Sequence, residues 1–251
     1  MGNNPLRGPT SSIGEGIPPP GLCRGGFTGA CVQRGGKLLD LDALEPMLTM
    51  PAQFPFPLKI FTTVFISILI PAYAIHYGWA NFLWLSDIAL FGTILALWSD
   101  SALIASMMAV GALVLETAWI IDFFGHLLMR RTLLGLSDYM FDPHNPVFIR
   151  ALSLFHLVLP GLVLWMVWRL GYDSRAWLLQ TLLTWVILLA TYFFTNPDQN
   201  INWAFGPGTK PQHVLPPMVY LILVMLVLPL LVYLPTHLAL KYLVGQPNSF
   251  L

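Results

Sequence analysis

Apolar stretches of about twenty residues, the length at which a helix crosses a bilayer core, recur from residue 58 onward with short polar breaks between them. Six can be marked, at 58–74, 79–98, 101–124, 147–170, 176–195 and 215–240. The pattern predicts an all-α fold, a polytopic membrane helical bundle of about six transmembrane helices. The breaks are tight ("HYG", "SD", "GYDSR") except at 125–146 and 196–214. Short connections make consecutive helices antiparallel neighbours, and longer loops are where function concentrates. No internal repeat is visible, so an inverted-repeat transporter has no support.

Residues 1–50 are a different material. The run "MGNNPLRGPTSSIGEGIPPPGLCRGGFTGACVQRGG" is crowded with Gly, Pro and Ser and has no apolar period that would bury a core. It is expected to be a disordered tail, 1–50, ahead of a membrane domain, 51–251, and to be dispensable for insertion and folding. It lacks the apolar core of a signal peptide. Because Met47 and Met50 stand just before the hydrophobic part, an over-extended gene start is one reading of it. Both cysteines, Cys23 and Cys31, lie in this tail without CxxC spacing; they either pair with each other or, the better fit, are free thiols.

Composition strengthens the membrane reading. Of 251 residues 56% are hydrophobic and 10% charged, with a mean hydropathy of +0.69, whereas a soluble domain carries about a quarter charged residues. Twelve basic and twelve acidic residues cancel, and no block of like charge occurs, so neither a nucleic-acid surface nor a polybasic lipid tether is indicated. Lys59, Arg169, Arg175 and Lys241 fall on one side of the bundle, Arg130, Arg131, Arg150 and Lys210 on the other. The bias is slight and, with the basic residues of the tail, points to both termini in the cytoplasm, which puts the long loops outside.

Within so apolar a chain the polar residues carry the information. Counted from the long-loop side at 1.5 Å per residue, Asp87 lies about 12 Å down the second segment, Glu116 about 12 Å down the third and His156 about 13 Å down the fourth. Each costs roughly 2.5–3.5 kcal/mol at the centre of a membrane helix unless it meets a partner or water, so three at one level predict mutual contact inside a polar cavity. Asp122, Tyr192, Asn196, His76 and Asn81 cluster above them; the other half holds mainly Gln180 and His237. The alternative is that the three only fix helix packing through hydrogen bonds.

Local patterns refine this. In "RALSLFHLVLPGLVLW", Ser153, His156 and Pro160 share one face, and Pro160 cannot bond the His156 carbonyl, so the helix is expected to bend at the histidine beside a cavity. Gln180, Thr184, Thr191 and Thr195 mark the inward face of the fifth segment and little more. The loop "NPDQNINWAFGPGTKPQHVLPP" is dense in amides and turn formers and would cap the cavity, with Asn200, Asn202, Trp203 and Lys210 as candidate substrate contacts alongside Tyr192 and Asp122. A well-formed turn with Trp203 as interfacial anchor is an equal reading. Asp138, Asp142 and His144 in "SDYMFDPHNP" match no known metal spacing and suit turn roles better. Nothing points to a cofactor or a metal.

Helix two "NFLWLSDIALF", the histidine of "LSLFHLVLP", the loop "NINWAFGPGTKP" and the closing "LPLLVYLPTH" resemble, in order and spacing, the six-helix YwaF-like bacterial membrane proteins, a group akin to a vertebrate phospholipid-remodelling acyltransferase. The resemblance spans the membrane region through short, degenerate motifs. His156, Asn202, Lys210 and Pro211 match that pattern, while Trp84 stands where the group has histidine, Ser86 where it has cysteine and Trp203 where it has tyrosine. It implies a bacterial inner-membrane protein with acyl chemistry on membrane lipids and without an acyl-cysteine. Ser86 would then be the nucleophile, His156 its base, Glu116 or Asp87 the orienting carboxylate, and Asn202 or backbone N–H groups the oxyanion donors. Ser86 and Asp87 diverge by about 100° around a helix, which makes Glu116 the better orienter. The expectation is lipid acyl transfer or hydrolysis; the rival is a non-enzymatic protein, either a small carrier using Asp87, Glu116 and His156 as a proton or cation relay or a structural subunit of a complex.

Overall fold

The computed structural model describes residues 54–244, so the 1–50 tail, with Cys23 and Cys31, lies outside the described residues. All regular structure among them is helical: α1 (Phe56–His76), α2 (Leu85–Ser99), α3 (Ala102–Met129), α4 (Val147–Leu152), α5 (Phe155–Leu170), α6 (Ala176–Phe194), α7 (Pro217–Val227) and α8 (Leu234–Leu243). α4 and α5 form one span, as do α7 and α8, so five spans are long and apolar enough to cross a membrane, and α2 is a shorter apolar helix of 15 residues. The chain is an integral membrane protein built as a polytopic helical bundle.

α3 is the axis of the bundle. It packs chiefly on α5, α2 and α6, and its inner faces carry Ala105, Ser106, Ala109, Gly111 and Ala112, all buried. Small side chains let backbones approach closely, which is what drives helix association where lipid removes the hydrophobic incentive. Outward, Ile75, Trp168, Val186 and Phe194 are more than three-fifths exposed, the surface a bilayer would cover.

The turns explain the spacing of the spans. Between α2 and α3, Asp100 takes a left-handed conformation (φ 48°) and its carboxylate accepts from Lys59 Nζ at 3.1 and 3.3 Å and from the Phe54 N–H at 3.2 Å, pinning the start of α1. Between α5 and α6 the Tyr172 hydroxyl meets His237 Nδ1 of α8 at 2.6 Å, and burial pushes that hydroxyl above its ordinary range.

Two spans are interrupted. The first break lies at Ser153–Leu154, where α4 ends and α5 begins, with His156 the second residue of α5. The irregularity expected at the histidine is thus a break just upstream of it, while Pro160 lies inside α5. In the last span a π-turn over Leu228–Tyr233 joins α7 to α8. Pro229 has no N–H for the carbonyl of Met225, and that carbonyl instead accepts from Trp185 Nε1 of α6 at 2.7 Å. Trp177 Nε1 bonds the Pro229 carbonyl at 3.4 Å. On α6, Gln180, Thr184 and Thr191 are buried as the stripe predicts; Thr184 bonds the Tyr233 hydroxyl at 2.9 Å.

Candidate functional site

The second span departs from its expected shape in a way that accounts for Asp87. In place of one helix from residue 79, a 3-10 turn covers Trp79–Leu83, the chain extends at Trp84, and α2 starts at Leu85. Asp87 is consequently in the first turn of a helix, where unpaired N–H groups and the positive end of the dipole favour a carboxylate. It is 3% exposed, and its Oδ2 accepts from Asn81 Nδ2 of the 3-10 turn at 3.0 Å.

Asn202 holds this break from across the chain. Its Oδ1 accepts from the Leu85 N–H at 2.9 Å, and its Nδ2 donates to the Leu83 carbonyl at 2.7 Å and toward Thr191 Oγ1 at 3.4 Å. The amide thus replaces the helical bonds that the interrupted span lacks. Asn202 and Trp203 both sit in the left-handed region (φ 55°), a conformation that costs a non-glycine residue and marks an over-determined backbone.

Glu116 and His156 meet where the depth count places them. His156 Nδ1 lies 2.6 Å from Glu116 Oε2, with the two residues 8% and 2% exposed. The imidazole is sandwiched, its centroid 4.5 Å from Trp119 and 4.1 Å from Phe155. With the carboxylate as acceptor, Nδ1 carries the proton and Nε2 keeps its lone pair, a tautomer assigned from the partner. Of the two candidate orienters, Glu116 is the one in contact. Beside them Tyr73 and Ser153 share a hydroxyl hydrogen bond of 2.5 Å.

These groups line one cavity of about 900 Å³. Its walls come from α1, the start of α2, α3, residues 134–139, the start of α5, residues 199–209, and α7 with the π-turn. α7 packs mainly on α6 and on the π-turn, so the cavity occupies the space between α7 and the α2–α3 pair. Ser86, Asp87, Glu116, His156, Asn200, Asn202 and Trp203 all line it. The Ser86 hydroxyl has no hydrogen-bond partner among the described residues.

The remaining candidates are elsewhere. Asp122 is fully buried and accepts from the N–H groups of Leu134, Gly135 and Ser137 and from Ser137 Oγ; it folds the 130–146 loop and does not line the cavity. Tyr192 stacks on Phe205 at 5.2 Å, and Lys210 is exposed; neither is among the lining residues. Asn200, although lining, spends its amide inside its own loop, donating to the carbonyls of Gly206, Gly208 and Lys210 and accepting from the Phe205 N–H. Asp142 accepts from the His144 N–H at 2.9 Å and Asp138 from Thr132 Oγ1 at 2.8 Å, the turn roles expected of them. No group of three potential ligands occurs among the described residues.

Tyr73, Trp119 and Tyr139 belong to the lining and were not singled out in the sequence. For Trp119 the signal was available, since it follows Glu116 by three residues and so shares its helix face. Compared with models of known families, with curated proteins and with solved structures, the chain matches none.

Proposed function

We propose that this protein is a membrane-embedded enzyme that transfers or hydrolyses an acyl group of a lipid. One observation carries the reading: an imidazole bonded at Nδ1 to a buried carboxylate belongs to a histidine that lines the same cavity as Ser86. That is the chemical requirement of a positioned general base beside a weak nucleophile. Leu223, Val224, Val227 and Val232 supply an apolar wall for a chain, and the YwaF-like resemblance supports the same chemistry.

In the covalent route Ser86 Oγ attacks the acyl carbonyl while His156 Nε2 takes its proton. The head-group oxygen leaves with that proton, and the acyl group remains as a serine ester. Water or an acceptor alcohol then loses its proton to Nε2 and attacks the ester, and Ser86 recovers the proton as the acid or new ester departs. In the direct route the acceptor itself loses its proton to His156 Nε2 and attacks the lipid's acyl carbonyl, and the head-group oxygen leaves with that proton. Asn202, whose amide is engaged with backbone, acts by positioning the start of α2; oxyanion donors would be backbone N–H groups there. Membrane lipids are the proposed partners, and the proposed setting is a bacterial inner membrane with both termini cytoplasmic and the cavity facing out.

Asp87 favours a second reading. A buried carboxylate beyond the pair that base catalysis needs would suit a proton or cation relay in a carrier. Labelled phospholipids and other lipid classes in proteoliposomes, followed for acyl exchange and release, separate the two. The enzyme reading expects His156→Ala to lose about 10²- to 10⁴-fold in rate, Glu116→Gln to lose less, and Ser86→Ala to be inactive only in the covalent route. No acyl reaction in any lipid class, together with dissipation of a pH gradient that Asp87→Asn abolishes, replaces the enzyme with the carrier.

A further inference from the structure

The cavity is chemically one-sided. Its lining includes the carboxylates of Asp87, Glu116 and Asp138 and, among the described residues, no lysine or arginine. Asp138 is engaged by Thr132 and lies 3.4 Å from His126 Nδ1, which leaves Asp87 and Glu116 as the groups facing the space. The second oxygen of each, like His156 Nε2, has no protein partner among the described residues, and all three residues line the cavity. Both residues are at least 97% buried. Tyr77, Trp84 and Trp203 add aromatic rings to the wall, whereas the Trp119 ring is stacked on Phe123 and His156.

A desolvated carboxyl group without a counter-charge is neutralised by a proton or by a bound cation, and aromatic rings bind alkylammonium groups well. An anionic head would meet the opposite conditions. At the start of α2, which would suit a phosphate, the Leu85 N–H is taken by Asn202 Oδ1 and the Asp87 carboxylate of the first turn opposes a full anionic charge. Lys210, the basic residue of the capping loop, is exposed and does not line the cavity.

We infer that the cavity binds an amphiphile whose head is a single ammonium or quaternary amine without phosphate, with its chain against α7. This rests on the reading of the cavity as the substrate site, and is tested by binding, not turnover. The full chain is placed in nanodiscs of phosphatidylglycerol, which contributes no ammonium group. Three nitroxide-labelled sixteen-carbon amphiphiles, with trialkylammonium, hydroxyl or phosphate heads, are titrated against tryptophan emission. The ammonium probe should saturate at a mole fraction about tenfold below the hydroxyl probe, the preference expected of a desolvated cation on aromatic faces and a carboxylate, and the phosphate probe should bind most weakly. Asp87→Asn should remove the preference, Glu116→Gln should reduce it, and Asp198→Asn, in the exposed part of the same side, should preserve it. Equal saturation by all three heads, or a preference that survives both cavity substitutions, overturns the inference while leaving a lipid site. Absence of saturable quenching by any head overturns it and removes the substrate site of the preceding section as well.

Discussion

Replacing Asn202 by alanine tests whether one amide holds the broken span in place. The substitution removes two short bonds, from the Leu85 N–H at 2.9 Å and to the Leu83 carbonyl at 2.7 Å; the 3.4 Å approach to Thr191 is long enough to neglect. A backbone group left unpaired in a buried setting costs about 1–3 kcal/mol. Leu85 borders the cavity, where water relieves part of that penalty, so the lower half of the range applies and the pair totals about 2–4 kcal/mol. At about 2–4 °C per kcal/mol for a chain of this size, the midpoint should fall by roughly 4–16 °C. Asn202→Asp should be no milder, because a carboxylate still accepts from Leu85 but faces the Leu83 carbonyl oxygen without a proton. Melting would be followed in nanodiscs by tryptophan emission at one fixed scan rate, since detergent-solubilised bundles often unfold irreversibly. Midpoints of both variants within about 1 °C of wild type would refute the argument, and would return Asn202 to the role of a free donor in the site.

Three further outcomes follow from single contacts. A Cβ at Gly206 would lie 2.4 Å from the Gln212 backbone nitrogen and 2.6 Å from the Lys210 carbonyl oxygen, so Gly206→Ala should destabilise the capping loop by about 2 kcal/mol or more, read as faster limited proteolysis within 196–216. Trp185→Phe leaves the Met225 carbonyl, already orphaned by Pro229, without its indole partner; a loss of about 1–2 kcal/mol is expected in the same melting assay. Arg175 holds the Asp173 carboxyl below its ordinary value, chiefly through its side-chain hydrogen bond. A depressed folded-state value means that the stabilisation is present above the unfolded-state value, near pH 4. It is lost as pH falls through the lower, folded one, so Asp173→Asn should flatten that part of the stability profile.

Much of the bundle was legible because its signals are local. Apolar runs bounded by turn residues mark α1, α3, the α4–α5 span and α6 closely, and depth counting along separate helices puts Glu116 and His156 at one level. What escaped depends on distant partners. The start of α2 is decided by Asn202, more than a hundred residues away in sequence, so a hydropathy pattern reads the Trp79–Leu83 turn and α2 as one continuous helix. That error made Asp87 look like a mid-membrane charge when it belongs to a helix start. Asn200 and Asp122 looked like ligand contacts because an amide or a carboxylate in a polar cluster is ambiguous until its backbone partners are placed. The break before His156 was foreshadowed by Pro160, but its position at Ser153–Leu154 was not.

The π-turn at Leu228–Tyr233 acts as a phase-shifter for the end of the chain. One extra residue within a helix rotates everything after it by about 100° relative to an uninterrupted α-helix. Ahead of it the inward position is Leu221; behind it the inward set is Tyr233, Thr236, His237 and Leu240, one step later than a continuous helix would bring round. Without that step, Tyr233 would swing off Thr184 and His237 off Tyr172, and two buried hydroxyl contacts would be exchanged for polar groups turned toward lipid. The carbonyl that Pro229 strands and Trp185 recovers is thus the hinge pin of an indexing device. The last span is clocked against α6 by a single inserted residue, and the apolar wall of the cavity is set by the half of that span lying before it together with Leu228 and Val232 of the turn.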